Sequence, residues 1–459
     1  MNPLKPLEIP RSFSAVGELV AKLDSCLLVG FGRLGPDQVG ALQSLTRIFA
    51  GTPLQSVVST AVEAIDKNEF VDKHFAAIAL ARASLQGAQY DALRAVAAEA
   101  LGSPPPPVGA AYPVGRIAAD AGPAAVFQES TRHWLMEVAL AGFRQLDNET
   151  LAPFQATLEQ IQGMPALTRL SAVLTGFLEE LMRSMPIADM EALPIFRWAD
   201  LWTRAMIAAL RSPAPPEGKK ISGGFAPIAA DIRRHGFFVN VEVYGVLTVD
   251  KEEHFARIPL SAYKVDVVYG DELWKCFSTA AHPLFQALEK KSLMEVRDAT
   301  LLPTGELLYD GAFKTGAKHN LEDTLAKFEP GANRFPKSIQ LAGTDRHPLQ
   351  IAEPVFLDSI KPLDGGKALD CGPVGNLPVA VNRIDPFEEV SVAALAKAKA
   401  LFGLLRFDAG WSIQPLAITA PQLTINGSTA LASATTKKKK GNVVETLRER
   451  ASRLLRKKS

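Results

Sequence analysis

Gly30-Phe-Gly-Arg-Leu-Gly35 is the first run whose residue types and spacing match a chemical task. In a Gly-x-Gly-x-x-Gly turn, glycines permit a tight strand-to-helix reversal and bring backbone amides to a pyrophosphate at a helix N-terminus. Three features oppose that chemistry here. The residues leading in have helical spacing, Pro36 follows the third glycine, and no strand ending in an acidic residue lies about twenty positions on. The spacing predicts a glycine-rich turn between two helices instead. Gly365-Gly-Lys-Ala368 lacks the upstream glycine and the Ser/Thr of a phosphate-binding loop.

The histidines, His74, His133, His235, His254, His282, His319 and His347, are dispersed, with no His-x-x-x-His pair and no Cys-x-x-Cys beside them, so the sequence predicts no metal site and no cofactor. His74 falls in line with Phe70 and Ile78, as a packed core histidine would. Cys276 and His282 have the types of a nucleophile and its base, but no orienting carboxylate is evident, and a buried cysteine behaves mainly as a small hydrophobe. Lys318, His319, Asp345, Arg346 and His347 fall on loops, where function concentrates, and are the candidate lining of a pocket. Trp134, Trp198 and Trp202 occupy core-like helical positions. No catalytic residue is assigned.

The strongest signal is electrostatic. Residues 437–459 carry Lys437, Lys438, Lys439, Lys440, Arg448, Arg450, Arg453, Arg456, Lys457 and Lys458 against Glu445 and Glu449. Ten basic and two acidic residues give this segment +8, so the chain's net +1 leaves −7 on the remainder. Asn442 with Glu445 forms a capping-box pattern, and Val444, Leu447, Ala451, Leu454 and Leu455 make a narrow apolar stripe. A basic amphipathic helix of this kind fits an acidic protein groove, nucleic acid or an anionic membrane. At roughly 1 kcal/mol per basic residue near an anionic surface, it supplies enough for reversible attachment. A solvated, disordered tail is the bland alternative.

The elements around these residues divide the chain. Pro104 to Pro107, and Pro213, Pro215 and Pro216, interrupt helix. Before and between them helical spacing recurs: Val16 to Leu27, Val39 to Ile48, Phe70 to Leu85, Phe127 to Val138, Leu151 to Ile161, Leu167 to Leu181, and Phe196 to Leu210. No repeat with a period of about 34–47 residues is evident. From about Gly223 the pattern changes. Val239, Val241, Val243, Leu247 and Val249 predict a strand, with His254 to Ile258 returning beside it and Tyr263 to Val268 as another. A helix is expected over 272–290, a hairpin over 294–313, a strand at 351–357, a helix carrying Phe387 to Leu404, and a strand at 411–418.

The expected fold is multidomain: an all-α N-terminal half of irregular helical hairpins or bundles, an α+β domain and a basic C-terminal tail. The boundaries are helices at 1–101, a Pro-rich linker at 102–123, helices at 124–211, a second linker at 212–222, α+β at 223–430, and linker plus tail at 431–459. Three cysteines in 459 residues provide no disulfide framework, and no charge-free apolar run is long enough to span a bilayer. The expectation is a cytoplasmic, non-enzymatic scaffold of a multiprotein assembly, holding protein partners and, through its tail, an anionic one. The alternatives are an enzyme with its site in the α+β region and a nucleic-acid-binding accessory protein.

Overall fold

A computed structural model gives the architecture. It describes residues 5–102, 122–185, 193–210, 218–235, 238–265, 267–302, 305–309, 313–320, 323–324, 351–384, 389–420 and 422–425. The basic segment 437–459 and Asp345, Arg346 and His347 lie outside them.

The N-terminal half is helical: α1 (Ser12–Val29), α2 (Pro36–Ile48), α3 (Gln55–Asp66), α4 (Asp72–Ala100), α5 (Pro123–Ala141), α6 (Asn148–Gln162), α7 (Thr168–Ser184) and α8 (Ile195–Leu210). These form two units of one plan. In each, a helix stops at a glycine with positive φ (Gly30, Gly142), followed by a 3₁₀ turn opening on phenylalanine (Phe31, Phe143) and an extended leucine (Leu34, Leu146). Three more helices follow. The units meet reciprocally: α1 contacts α8 and the turn at 143–145, while α5 contacts α4 and the turn at 31–33. Such exchange of equivalent contacts is the signature of an approximate two-fold axis. The repeat unit is four helices, well beyond a period of 34–47 residues. One core runs through both units, with Trp134 stacked on Phe154 at 4.0 Å and Trp198 edge-on to Phe143 at 5.5 Å.

The C-terminal half is built on antiparallel sheets. The first has the order β3-β2-β1-β4-β5, from β1 (Lys219–His235), β2 (Phe238–Val249), β3 (Glu252–Tyr263), β4 (Ser292–Leu301) and β5 (Lys314–Lys318). The second, β12-β11-β10-β6, comprises β6 (Ile351–Leu357), β10 (Ala400–Phe407), β11 (Trp411–Ala420) and β12 (Gln422–Ile425). A small sheet joins β7 (Lys361–Leu363), β8 (Ala368–Asp370) and β9 (Asn376–Pro378). Helix α9 (His282–Lys290) packs on β1, β4 and β5.

The second sheet is the middle layer. Phe402, Leu404 and Leu416 join the core of the first sheet, while Leu401, Leu405, Phe407 and Ile413 join Tyr90, Leu93 and Ala97 of α4. The long α4 thus belongs to two cores. Its C-terminal half is fastened to β6 by Arg94 Nε at 3.0 Å from Glu353 Oε1 and by the Tyr90 hydroxyl, which donates to the same oxygen at 3.1 Å.

Four sequence expectations are corrected. Leu401 and Leu404 lie in strand β10, and only Val392–Leu395 is helical before it. Every residue of β10 is buried, Arg406 included, so neither face meets water and the alternation that marks a strand vanishes. The helix expected over 272–290 is broken into 3₁₀ segments, Gly270–Cys276 and Thr279–Ala281, before α9 begins with Pro283 in its first turn. Strand β1 went unread because Phe225 to Asp231 are buried without alternation and Pro227 sits at a bulge. Of the segment expected as strand, residues 264, 265, 267 and 268 lie past the end of β3 as irregular chain.

Candidate interaction surface

The surface begins with the register of β2 and β3. Phe238, the first residue of β2, is paired with Tyr263, the last of β3, and their rings stand 4.7 Å apart on the outside of the sheet. Beyond Tyr263 the chain turns, with the Val268 amide donating to Val265 O at 3.0 Å. The turn buries Val268 and leaves Val265, Val267 and Tyr269 outside. Tyr263 is 79% exposed and Val267 64%, far more than isolated surface hydrophobes need. Arg234 lies 5.7 Å from the Tyr269 ring centroid, and Lys264 Nζ lies 5.5 Å from it. Cations at that range are attracted to the ring face and hold Tyr269 in place.

This cluster lies on the outer edge of β3. The Arg257 amide donates to Gly305 O at 3.0 Å, and the Leu307 amide donates to Arg257 O at 2.8 Å, so odd-numbered residues of β3 turn their backbone groups outward. The stitch through 305–307 continues to β4 and covers the edge there. Two residues on, Pro259 falls on an outward position, where an absent N–H costs the ladder nothing. Past it, Ser261 and Tyr263 face outward with no backbone partner among the described residues. An uncovered strand edge flanked by exposed aromatic rings can accept an extended segment, which main-chain hydrogen bonds would hold and ring contacts would select.

The residues singled out from sequence fall elsewhere. Gly30 to Gly35 form a turn between α1 and α2 whose amides are spent internally: Gly30 N–H on Cys26 O at 2.8 Å, and Arg33 N–H on Gly30 O at 2.9 Å. No strand precedes them, and the dinucleotide reading is excluded. A cavity of about 250 Å³ beside this turn is walled by Phe31, Leu34, Leu42, Val62 and Ile65. Gly365-Gly-Lys is the turn between β7 and β8.

Lys318 ends β5 on the exposed face. His319 Nδ1 stands 3.1 Å from Thr324 Oγ1, its Nε2 is buried without a partner, and burial lowers its pKa. His74 is buried with Nδ1 3.0 Å from Glu69 O. Burial pushes the Cys26 and Cys371 thiols up to about 12, which makes them unreactive at neutral pH. Cys276 Sγ donates to Glu272 O at 3.7 Å. Trp134, Trp198 and Trp202 are buried and form no open platform. Among the described residues no His, Cys, Asp or Glu group has a metal-holding arrangement, and no helix is long and apolar enough to cross a membrane.

Sequence reading missed Tyr263 and Tyr269 as surface residues. Its signal there, an alternating run from Tyr263 to Val268 in which Val265 and Val267 share one side, looks the same whether that side is buried or exposed. Comparison with protein-family models, curated proteins and solved structures finds no match.

Proposed function

We propose that the chain is a non-enzymatic interaction protein of a multiprotein assembly, which receives an extended segment of a protein partner along the outer edge of β3. The carrying observation is the exposed cluster of Phe238, Tyr263, Val265, Val267 and Tyr269 beside the backbone of Ser261 and Tyr263, which has no backbone partner among the described residues. The exposed Arg234 beside Tyr269 favours acidic side chains in that partner. The basic residues from Lys437 to Lys458 provide a second, salt-sensitive attachment to an anionic partner.

Panning a displayed peptide library on the full chain tests the edge. Recovered peptides should alternate apolar and acidic residues. Tyr263→Asp should weaken them by about 30-fold or more, the loss of one binding hot spot. Equal affinity for the variant removes the proposal. Deleting residues 437–459 should leave those peptides bound while abolishing retention on a polyanion column at low salt. A deletion variant retained with an unchanged salt dependence rejects the tail's role.

A further inference from the structure

The two four-helix units align without a gap over their first three helices. The interval that takes Gly30 to Gly142 also takes Phe31 to Phe143, Leu34 to Leu146, and Pro36, which opens α2, to Asn148, which opens α6. At that interval Leu42, Ile65 and Asp66 of the first unit correspond to Phe154, Phe177 and Leu178 of the second. There the space is filled by buried side chains: Phe154 stacks on Trp134 at 4.0 Å, Phe177 meets Trp134 edge-on at 6.1 Å, and Leu178 is buried. The first unit has Lys22 where the second has Trp134, and its smaller side chains leave the cavity of about 250 Å³ between the turn at 31–34, α2 and the end of α3.

The interior of this cavity is apolar, whereas Arg33, Gln43, Asp66 and Asn68 line it from solvent-exposed positions and form its rim. Arg33 and Asp66 carry opposite charges on one opening. Among the described residues neither stands within ion-pair distance of the other or of any further charge, and the side chains of Gln43 and Asn68 have no hydrogen-bond partner. Both charges are particular to this unit, because the second has Gln145 and Leu178 at their positions. An apolar hollow with a few convergent polar groups at its mouth is the usual form of a small-molecule site.

We propose that the cavity binds a free amino acid with an apolar side chain. The side chain enters the apolar interior, the carboxylate accepts from the Arg33 guanidinium, and the ammonium donates to the Asp66 carboxylate. The amides of Gln43 and Asn68 supply further donors and acceptors to the same head group. A zwitterion complements both rim charges, whereas a fatty acid or a simple amine complements one. The size agrees, since a cavity of about 150 Å³ holds a benzene ring. The site belongs to the helical half and does not depend on the reading of the β3 edge.

The test is calorimetric titration of the full chain with L-phenylalanine and L-leucine, against phenylacetate, which lacks the ammonium, and 2-phenylethylamine, which lacks the carboxylate. L-phenylalanine should bind about threefold or more tighter than either single-charge analogue. Arg33→Gln should weaken L-phenylalanine about threefold or more and bring it level with phenylethylamine. Asp66→Asn should bring it level with phenylacetate. Leu42→Phe combined with Ile65→Phe installs the rings that the second unit carries and should abolish binding by filling the space. Arg33 and Asp66 are exposed, so their variants report even if the filled variant folds poorly. No binding of either amino acid at about 10 mM, analogues that bind as tightly as L-phenylalanine, or an affinity unchanged in both charge variants overturns the proposal.

Discussion

Gly142→Ala is expected to destabilise the fold by about 4 kcal/mol or more, enough to unfold a marginal helical half. Gly142 has φ 81° and ψ 147°, a conformation almost confined to glycine. A Cβ there would stand 2.4 Å from Gly30 N, 2.5 Å from Val29 C and 2.6 Å from Val29 O. These are backbone atoms at the end of α1 and cannot rotate aside. The opposition is mutual, since a Cβ on Gly30 would stand 2.6 Å from Leu140 O. Backbone strain costs about 1–3 kcal/mol and overpacking about as much again. Because both clashes open the same crossing, the double Gly30→Ala/Gly142→Ala variant should lose less than the sum of the singles. Gly176→Ala in α7, with nothing within 4 Å, should instead stabilise by up to about 1 kcal/mol. Urea unfolding followed by circular dichroism measures all four. A Gly142→Ala loss below about 1 kcal/mol would mean that the two units do not meet through these glycines.

The same two glycines show what the sequence could and could not convey. The run 30–35 was legible as a turn between helices, because one-sided apolar spacing flanks it and Pro36 suits a helix start. Its partner at 142–146 was invisible as a repeat. It shares Gly, Phe and Leu with the first but replaces Gly35 by Asp147, which caps α6 by accepting the Thr150 amide at 2.8 Å. Amphipathic helices and the half-buried β2 announce themselves because one face meets water. Strands β1 and β10 did not, because neither face does. The edge of β3 was hidden for a different reason. Whether Tyr263 and Val267 are covered depends on chain that returns far along the sequence, at Gly305 to Leu307.

Arg82→Met is expected to cost about 3–5 kcal/mol at neutral pH, the price of leaving a buried carboxylate unpaired. Arg82 on α4 is 1% exposed and grips Asp24 of α1 with both arms of its fork, Nε to Oδ1 at 2.6 Å and Nη2 to Oδ2 at 3.1 Å. Its third nitrogen donates to Gln86 Oε1 at 2.9 Å and stands 4.0 Å from Asp200 of α8. Desolvation, set against the Arg82 bonds, holds the Asp24 carboxyl above its ordinary value. A carboxyl raised on folding adds stability below its unfolded value, near 4, and loses it as pH rises through the folded value. Removing Arg82 raises that folded value further. The deficit of Arg82→Met should therefore be largest near pH 7 and shrink as pH approaches about 4.5 and Asp24 protonates. Adding Asp24→Asn should recover part of the loss at pH 7, with a coupling energy of about 0.5–3 kcal/mol. Asp24, Arg82 and Asp200 come from α1, α4 and α8, and α8 belongs to the other four-helix unit. The ion pair thus acts where the units join, and its loss should loosen their junction before it melts either unit. Hydrogen exchange should show this as faster opening of α1 and α8 than of α6 and α7. An Arg82→Met deficit unchanged between the two pH values would assign the contribution to the aliphatic stem rather than to the charge.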